Sequence, residues 1–297
     1  GDTRRISMET EPDLFRATMG GVGQTGLVAS ARIRLVPCPA MAMSVREERM
    51  DGLGAFLEAF ETATGRFQVG WIDALQTGAT LGRGVFEAGE FAPPGTQAKA
   101  KSAGKSLPVT PPGLCLSAPF VRLFNSAYFK RIPAAGRTRI RPLNDFFFPL
   151  DRISNWNKVY GKRGFQQFQC VIPCERAEQG LGAILAEIGR AGIASPLAVI
   201  KRMGPGRAGY LSFPMEGYSL AVDLPERAGT AALAEVLVRI ALDEGGRVYL
   251  AKDSAASGSS FAAMYPEIGE FRSVVSRMDP GGKFASAMAQ RLDLRGV

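Results

Sequence analysis

The chain has 297 residues, 46% of them hydrophobic and 22% charged, which is enough for one large core or two domains. It contains no histidine, and this excludes Ser-His-Asp and Cys-His nucleophilic chemistry and imidazole metal ligands. No apolar run reaches the roughly 18 residues that a membrane-spanning helix needs. The net charge of +8 fits an ordinary basic surface, or attraction to phosphate or an anionic membrane face. Because the cations are scattered and lack the aromatic pattern of an RNA-binding module, a phosphorylated ligand is favoured over nucleic acid.

Three glycines near the start, Gly21, Gly23 and Gly26, spell G-x-G-x-x-G. This dinucleotide-binding pattern is informative only between a strand and a helix. Here the alternation from Ala31 to Leu35 predicts a strand after the glycines, so the loop is not a Rossmann turn. It is either a plain glycine turn or the tail of a cofactor domain whose front is missing.

The first half of the chain gives weaker signals than the second. Residues 51–64 predict a helix and residues 67–75 a strand running into a turn. Residues 92–112 are basic and rich in Pro, Ala, Gly and Ser, which predicts a mobile loop. Within it, residues 104–106 resemble the end of a Walker A motif, but Lys99 stands where that motif needs glycine, so a P-loop is excluded.

The second half predicts a complete folding unit. Its elements are a strand at 164–172, a helix at 177–190, strands at 196–203 and 218–224, a helix at 230–243 and a strand at 247–251. This β-α-β-β-α-β order is the ferredoxin-like arrangement, an α+β fold in which both helices cover one face of an antiparallel sheet. The other face must be covered or must bind something.

Several polar side chains are predicted on that free face. Gln167 and Gln169 share one side of their strand, as on an edge or solvent-facing strand or on a hydrogen-bonding wall for a polyhydroxyl ligand. Lys201 lies in another strand of the unit, and Lys252 follows the last strand. The sequence pattern alone does not decide whether either lysine is simply solvated or has a functional role.

The four cysteines, Cys38, Cys115, Cys170 and Cys174, do not predict a metal site. Only one pair is close in sequence, and a structural zinc would need all four thiols together. Free, buried cysteines and no metal are expected.

Five stretches of the chain, in order, resemble the decaprenylphosphoryl-β-D-ribose oxidases, a branch of the vanillyl-alcohol-oxidase-like family of FAD enzymes. They are FRATMGGVGQTGLVASARIRL, WNKVYGKRGFQQFQCVIP, LSFPMEGYSLAVDLP, GGRVYLAKDS and MYPEIGEFRSVVSRMDPGGKFASAMAQRL. The resemblance covers nearly the whole chain except the 92–112 loop. It implies that residues 1–40 are the C-terminal remnant of an FAD-binding domain, 41–246 a substrate-binding domain, and 247–297 a segment returning to the FAD domain.

The resemblance also implies roles for individual residues. Val28 and Tyr249 would lie near the flavin, and Lys252 would lie between flavin and substrate as the catalytic residue. The pocket for the sugar phosphate would be lined by Trp71, Gln167, Gln169 and Lys201.

Four further pocket positions depart from the family pattern. Lys158 stands where Arg is frequent, which removes the bidentate fork suited to phosphate. Phe147 replaces a Tyr, and Ser219 and Ala221 replace an Asn and a Cys. These departures bear on the substrate more than on the reaction type.

The implied reaction is oxidation of a secondary alcohol of a polyprenyl-phosphoryl sugar to a ketone, with hydride transfer to FAD and a partner reductase completing an epimerisation. The resemblance implies a cytoplasmic or peripherally membrane-associated protein of the bacterial cell envelope. A chain without the front of the FAD domain is expected to bind FAD weakly or not at all.

Two alternatives stay open: a sugar or aldonolactone oxidase of the same superfamily, and a catalytically silent module that binds a phosphosugar or a partner.

Overall fold

A computed structural model describes residues 2–98, 105–106, 110–111, 113–193, 195–206 and 208–296. The strands are β1 (Ala42–Met50), β2 (Phe67–Ile72), β3 (Gly84–Phe91), β4 (Lys105–Ser106), β5 (Arg137–Pro142), β6 (Ile153–Ser154), β7 (Phe165–Ile172), β8 (Ala198–Met203), β9 (Gly217–Pro225) and β10 (Arg247–Val248). The α-helices are α1 (Pro12–Thr18), α2 (Leu53–Thr62), α3 (Ala118–Lys130), α4 (Leu143–Phe147), α5 (Ala177–Ala191), α6 (Thr230–Asp243), α7 (Gly258–Met264), α8 (Ile268–Met278) and α9 (Ala287–Arg291). Short 3-10 helices lie at Gly78–Thr80, Gly113–Leu116, Trp156–Tyr160, Cys174–Arg176 and Leu250–Lys252.

Eight strands form one antiparallel sheet in the order β10-β7-β9-β8-β2-β3-β1-β5. The half β10-β7-β9-β8 comes from the chain order β7-α5-β8-β9-α6-β10 and confirms the predicted ferredoxin-like unit. The half β2-β3-β1-β5 has the same strand order in mirror image. The halves join through two residue pairs, Gly70 with Ile200 and Trp71 with Val199.

The main core lies between the sheet and the helices α2, α5 and α6. The apolar residues of α5 recur at helical spacing, and Leu181, Ile184, Leu185 and Ile188 are each at most 1% exposed. They face the strand residues that alternate toward the same side, such as Cys170 and Leu220. The glycine pair after α6 ends it as predicted, because Gly245 adopts a positive φ of 68°.

Two further helices lie on the opposite face, over the half that contains β1, β2, β3 and β5. The ring of Tyr128 on α3 packs 4.6 Å from that of Trp71, measured between centroids. Phe146 on α4 occupies the space that a Cβ atom at Gly89 would need, since that atom would approach Phe146 within 2.7 Å. On the half formed by β7, β8, β9 and β10, the same polar face has no helix of this kind packed on it in the described residues.

A buried ion cluster holds the β5 edge of the sheet. Glu47 on β1 has a fully buried side chain and accepts hydrogen bonds from Arg137 at 2.6 Å and Arg139 at 2.7 Å. Burial alone would raise the pKa of Glu47, but these two arginines outweigh it and hold the pKa below its ordinary value.

Three sequence predictions require correction. The strand predicted at 31–35 is absent: residues 27–39 have no regular secondary structure and no strand to pair with among the described residues, and Leu35 is 83% exposed. The strand predicted at 247–251 ends at Val248, because Leu250–Lys252 curl into a 3-10 helix. The cysteines are free, but only Cys170 is buried.

The predicted mobile loop at 92–112 falls partly outside the described residues. In the described part of this segment, β4 pairs in parallel with β6.

Candidate functional site

The uncovered face of the sheet groups the predicted polar residues. Gln167 and Asp223 are cross-strand partners on β7 and β9, and the Gln167 amide donates to Asp223 Oδ1 at 2.7 Å. The Gln169 amide donates to Ser219 Oγ at 3.0 Å. β7 lies between β10 and β9, and although β10 ends before the two glutamines, the Tyr249 N–H that follows it bonds to the Gln169 carbonyl. They form a hydrogen-bonded wall.

Asp223 is a site residue that the sequence patterns did not single out. Its side chain is buried, and it also accepts a hydrogen bond from the Tyr160 hydroxyl at 2.6 Å. Burial raises the pKa of Asp223 and outweighs the hydrogen bonds from Tyr160 and Gln167 and the charge of Lys252. A signal was present in the sequence, because Ser219, Ala221 and Asp223 alternate along one side of β9.

Lys252 closes one end of this wall. It is half-buried at the end of the 3-10 helix that follows β10, and its ammonium forms no hydrogen bond or ion pair with any part of the chain that the structure describes. Burial lowers the pKa of Lys252, the charge of Asp223 opposes this, and the like charge of Lys201 reinforces it. Lys252 is thus a partly desolvated cation directed at a polar surface.

Three other predicted residues border the wall. The Tyr249 backbone N–H donates to the Gln169 carbonyl at 2.9 Å, and the Tyr249 ring lies 4.8 Å from that of Phe213. Trp71 is on the same face one strand beyond β8, because it pairs with Val199, which itself pairs with Ala221. Lys201, opposite Ser219, is exposed between them.

The structure places the remaining predicted residues outside these strands. Phe147 packs edge-on against Phe67 at 4.9 Å, toward the far end of β2. Lys158 is in the 3-10 helix two residues before Tyr160. Val28 is 66% exposed in the extended segment after the glycine loop.

The described residues lack two other kinds of site. They contain no group of three or more His, Cys, Asp or Glu side chains that could hold a metal ion. None of the helices in this part of the chain combines the length and the apolar character needed to cross a bilayer.

Comparison with known proteins identifies the family. The chain is 35% identical to decaprenylphosphoryl-beta-D-ribose oxidase of Mycolicibacterium smegmatis over 99% of its own length and 66% of that relative's. It is 30% identical to an uncharacterized protein in the mprA 5' region of Streptomyces coelicolor, over 95% of the chain and 81% of that protein. The chain belongs to the vanillyl-alcohol-oxidase-like family of FAD-linked oxidoreductases.

The fold agrees with membership of this oxidase family. A BBE-like protein of Arabidopsis thaliana superimposes with a TM-score of 0.51 and 12% identity, over 93% of this chain and 62% of that structure. No family model matches the chain. The chain spans just under two thirds of the length of the mycobacterial oxidase, so the reaction of that whole enzyme can only be proposed for it.

Proposed function

We propose that this chain is the substrate-binding part of an FAD-dependent oxidoreductase that converts a secondary alcohol of a polyprenyl-phosphoryl sugar to a ketone. The observation that carries the proposal is Lys252, a partly buried cation without an ion-pair partner in the described structure, at the end of a hydrogen-bonded wall of Gln167, Gln169 and Asp223. Amide and carboxylate groups on one sheet face match the donors and acceptors of a sugar.

The residues present fit a flavin at the Lys252 end of the wall. When bound, FAD supplies the acceptor for the hydride that leaves the carbinol carbon. Lys252 and Tyr249 would hold it, because a cation that no described carboxylate pairs with suits a group that gains negative charge. Val28 is proposed near the same group from the family pattern alone.

On the substrate side, each residue has a separate task in the proposal. Gln167 and Gln169 orient the sugar hydroxyls, and Lys201 offers a further hydrogen-bond donor to the sugar. Trp71 provides an apolar wall beside them. Phe147, Lys158, Ser219 and Ala221 would shape the rest of the pocket.

We further propose that most of the FAD is held by a unit with no counterpart in these 297 residues. The chain matches 66% of the mycobacterial oxidase, and its residues 27–36 present exposed apolar side chains that no described residue covers. In this division residues 1–40 and 247–297 adjoin the FAD unit, and residues 41–246 form the substrate domain. A partner reductase and peripheral membrane association are part of the proposal.

A second candidate is an oxidase of free sugars or aldonolactones. It is favoured by Lys158, because a lysine offers a single point charge to a phosphate where an arginine would offer two parallel N–H donors. It is also favoured by Ser219 and Ala221, which have fewer polar atoms than the Asn and Cys of the family pattern. A third candidate is a silent binding module, which predicts phosphosugar binding without any flavin reduction.

The test uses the flavin-loaded protein that includes the proposed FAD unit, and its variant Lys252→Ala. Anaerobic mixing with decaprenylphosphoryl ribose is expected to bleach the flavin absorbance in the wild type. We expect the variant to bleach at least about a hundredfold more slowly, because a positioned charge is lost. The matched control is Lys283→Ala, which removes an exposed lysine elsewhere.

The outcomes separate the candidates. Equal bleaching rates in Lys252→Ala and the wild type would rule out the role of Lys252. Bleaching by a free aldonolactone but not by the prenyl-phosphoryl sugar would favour the second candidate. No bleaching with either substrate would favour the third.

A further inference from the structure

A second concave site lies beside the polar wall. It is a cavity of about 660 Å³ between the 3-10 helix at Gly113–Leu116 and the turn that joins β9 to α6. Its volume is in the range of pockets that hold small molecules, about 300–1,000 Å³. Its lining includes Pro111, Ser117, Tyr160, Lys162, Arg163 and Arg227.

The charge of this cavity favours an anion. Lys162 and Arg163 are exposed on its rim, and neither forms an ion pair within the described ranges of the chain. Arg227 is anchored by a hydrogen bond to the Leu116 carbonyl. The carboxylate in the lining, Glu226, is already engaged by the Gln166 amide at 2.8 Å. In the described lining, three cations therefore face one carboxylate that already has a partner.

The walls of the cavity are suited to an apolar body. Pro111 and Pro225 lie on them with Tyr160, whose ring is held by stacking on Phe165 at a centroid distance of 4.1 Å. A site that combines an apolar wall with a cationic rim complements an amphipathic anion better than a fully hydrophilic one.

Tyr160 connects this cavity to the polar wall. It lines the cavity, and its hydroxyl donates to Asp223 Oδ2 at 2.6 Å. One residue thus borders both spaces, so a single extended ligand can contact both.

We propose that this cavity binds a phosphate group carried on an isoprenoid chain, while the polar wall binds the sugar attached to it. The inference rests on the proposed function and names the subsite that would distinguish prenyl-phosphoryl sugars from free sugars. Lys162, Arg163 and Arg227 would pair with the phosphate, and the prolines with Tyr160 would contact the first isoprene units.

The test measures binding of farnesyl phosphate to the full chain by calorimetry, with farnesol and inorganic phosphate as partial ligands. The double variant Lys162→Glu/Arg163→Glu is expected to weaken binding of farnesyl phosphate at least about tenfold, because two attractive charges become repulsive. The control Arg190→Glu/Arg239→Glu makes the same change in net charge at exposed positions of α5 and α6, and is expected to bind like the wild type.

A second variant tests the apolar part of the proposal. Gly113 lines the cavity, and a Cβ atom added there would meet no described atom within 4 Å, so Gly113→Trp adds bulk at the cavity wall without a clash at the Cβ position. This variant is expected to weaken binding of farnesyl phosphate while the thermal unfolding midpoint stays near that of the wild type. Farnesol and inorganic phosphate are each expected to bind the wild type at least about tenfold more weakly than farnesyl phosphate, since each satisfies only one part of the site.

Unchanged affinity for farnesyl phosphate in the double variant, or equal affinity for inorganic and farnesyl phosphate, would overturn the subsite. These outcomes are independent of the oxidase assay. If farnesyl phosphate binds as expected but no sugar bleaches the flavin, the subsite stands and the proposed oxidation fails. If the sugar is oxidised with the same KM in the double variant, the oxidation stands and the subsite fails.

Discussion

Asp223 and Lys252 are two opposite charges that influence each other without forming a close ion pair. Asp223 is held by Tyr160 and Gln167, so its carboxylate is fixed in place, whereas the Lys252 ammonium forms no hydrogen bond with the described residues. A fixed charge beside a free one can set the protonation of the free group. We therefore treat Asp223 as a positioning residue for Lys252.

The variant Asp223→Asn is expected to lower the pKa of Lys252 further. Asp223 raises that pKa, burial and Lys201 lower it, and only the raising influence is removed. The alkaline limb of the pH profile of the flavin reduction rate should move to lower pH, since Lys252 then loses its proton at a lower pH. An NMR titration of labelled lysine side chains gives the same shift without activity.

Asp243→Asn is the matched control, because it removes an exposed carboxylate at the end of α6. An unchanged titration of Lys252 in Asp223→Asn would show that the two charges are not coupled.

Among single residues, the sequence was informative where side chains alternate. The alternation of Gln167 and Gln169 predicted a shared face, and the pairing of β7 with β9 agrees with it. Asp223 was missed because a single acid in an apolar strand is not conspicuous, and its partner Tyr160 comes from a separate 3-10 helix.

Among the elements, the pairing of β2 with β8 is the contact that joins the two halves of the sheet. Gly70 lies at this seam, and a Cβ atom there would approach Phe56 Cε1 at 2.4 Å and Ile200 Cγ2 at 2.6 Å. The absence of a side chain lets α2 and β8 close on β2. Close packing of this kind tolerates little added volume.

Gly70→Ala is expected to lower the free energy of unfolding by about 1–3 kcal/mol, since the added methyl overpacks the seam. The control Gly182→Ala lies within α5, where the new Cβ would be 4.0 Å from Leu53 Cδ2. It is expected to raise stability by about 0.5–1 kcal/mol, because Ala is a better helix residue than Gly. Urea unfolding measures both, and a Gly70→Ala variant as stable as the wild type would contradict the seam argument.

The elements of the second half could be predicted because their buried residues follow clear periods, as in α5. The seam could not, since it pairs strands that are far apart in the chain, and local sequence carries no record of which distant strand comes alongside. The end of β10 was missed for a related reason: Tyr249 to Lys252 have a strand-like pattern, but their backbone turns.

For the whole molecule, the feature with the largest consequence is the extended segment at residues 27–36. Leu27, Ile33 and Leu35 are 90%, 75% and 83% exposed, and the described structure gives them no partner. The sequence predicted a strand there, and the local pattern does favour one. A strand also needs a neighbour, which local pattern cannot supply.

Trypsin is expected to cleave after Arg32 or Arg34 before it cleaves after Arg137 or Arg139. The first pair lies in unpaired backbone, whereas the second lies in β5 and is bound to the buried Glu47. Mass spectrometry of a time course identifies the first cuts. Early cleavage in β5 with residues 27–36 intact would contradict the exposure of this segment.

The mirrored strand order of the two halves has a geometric consequence. A rotation by half a turn about an axis through the β2–β8 seam would place β1 on β7 and β5 on β10. Glu47 and the glutamines of the polar wall therefore lie on equivalent strands of the two halves. The helices do not follow this symmetry: the first half uses this face for internal ion pairs beside α3, whereas the second half leaves it to the polar wall.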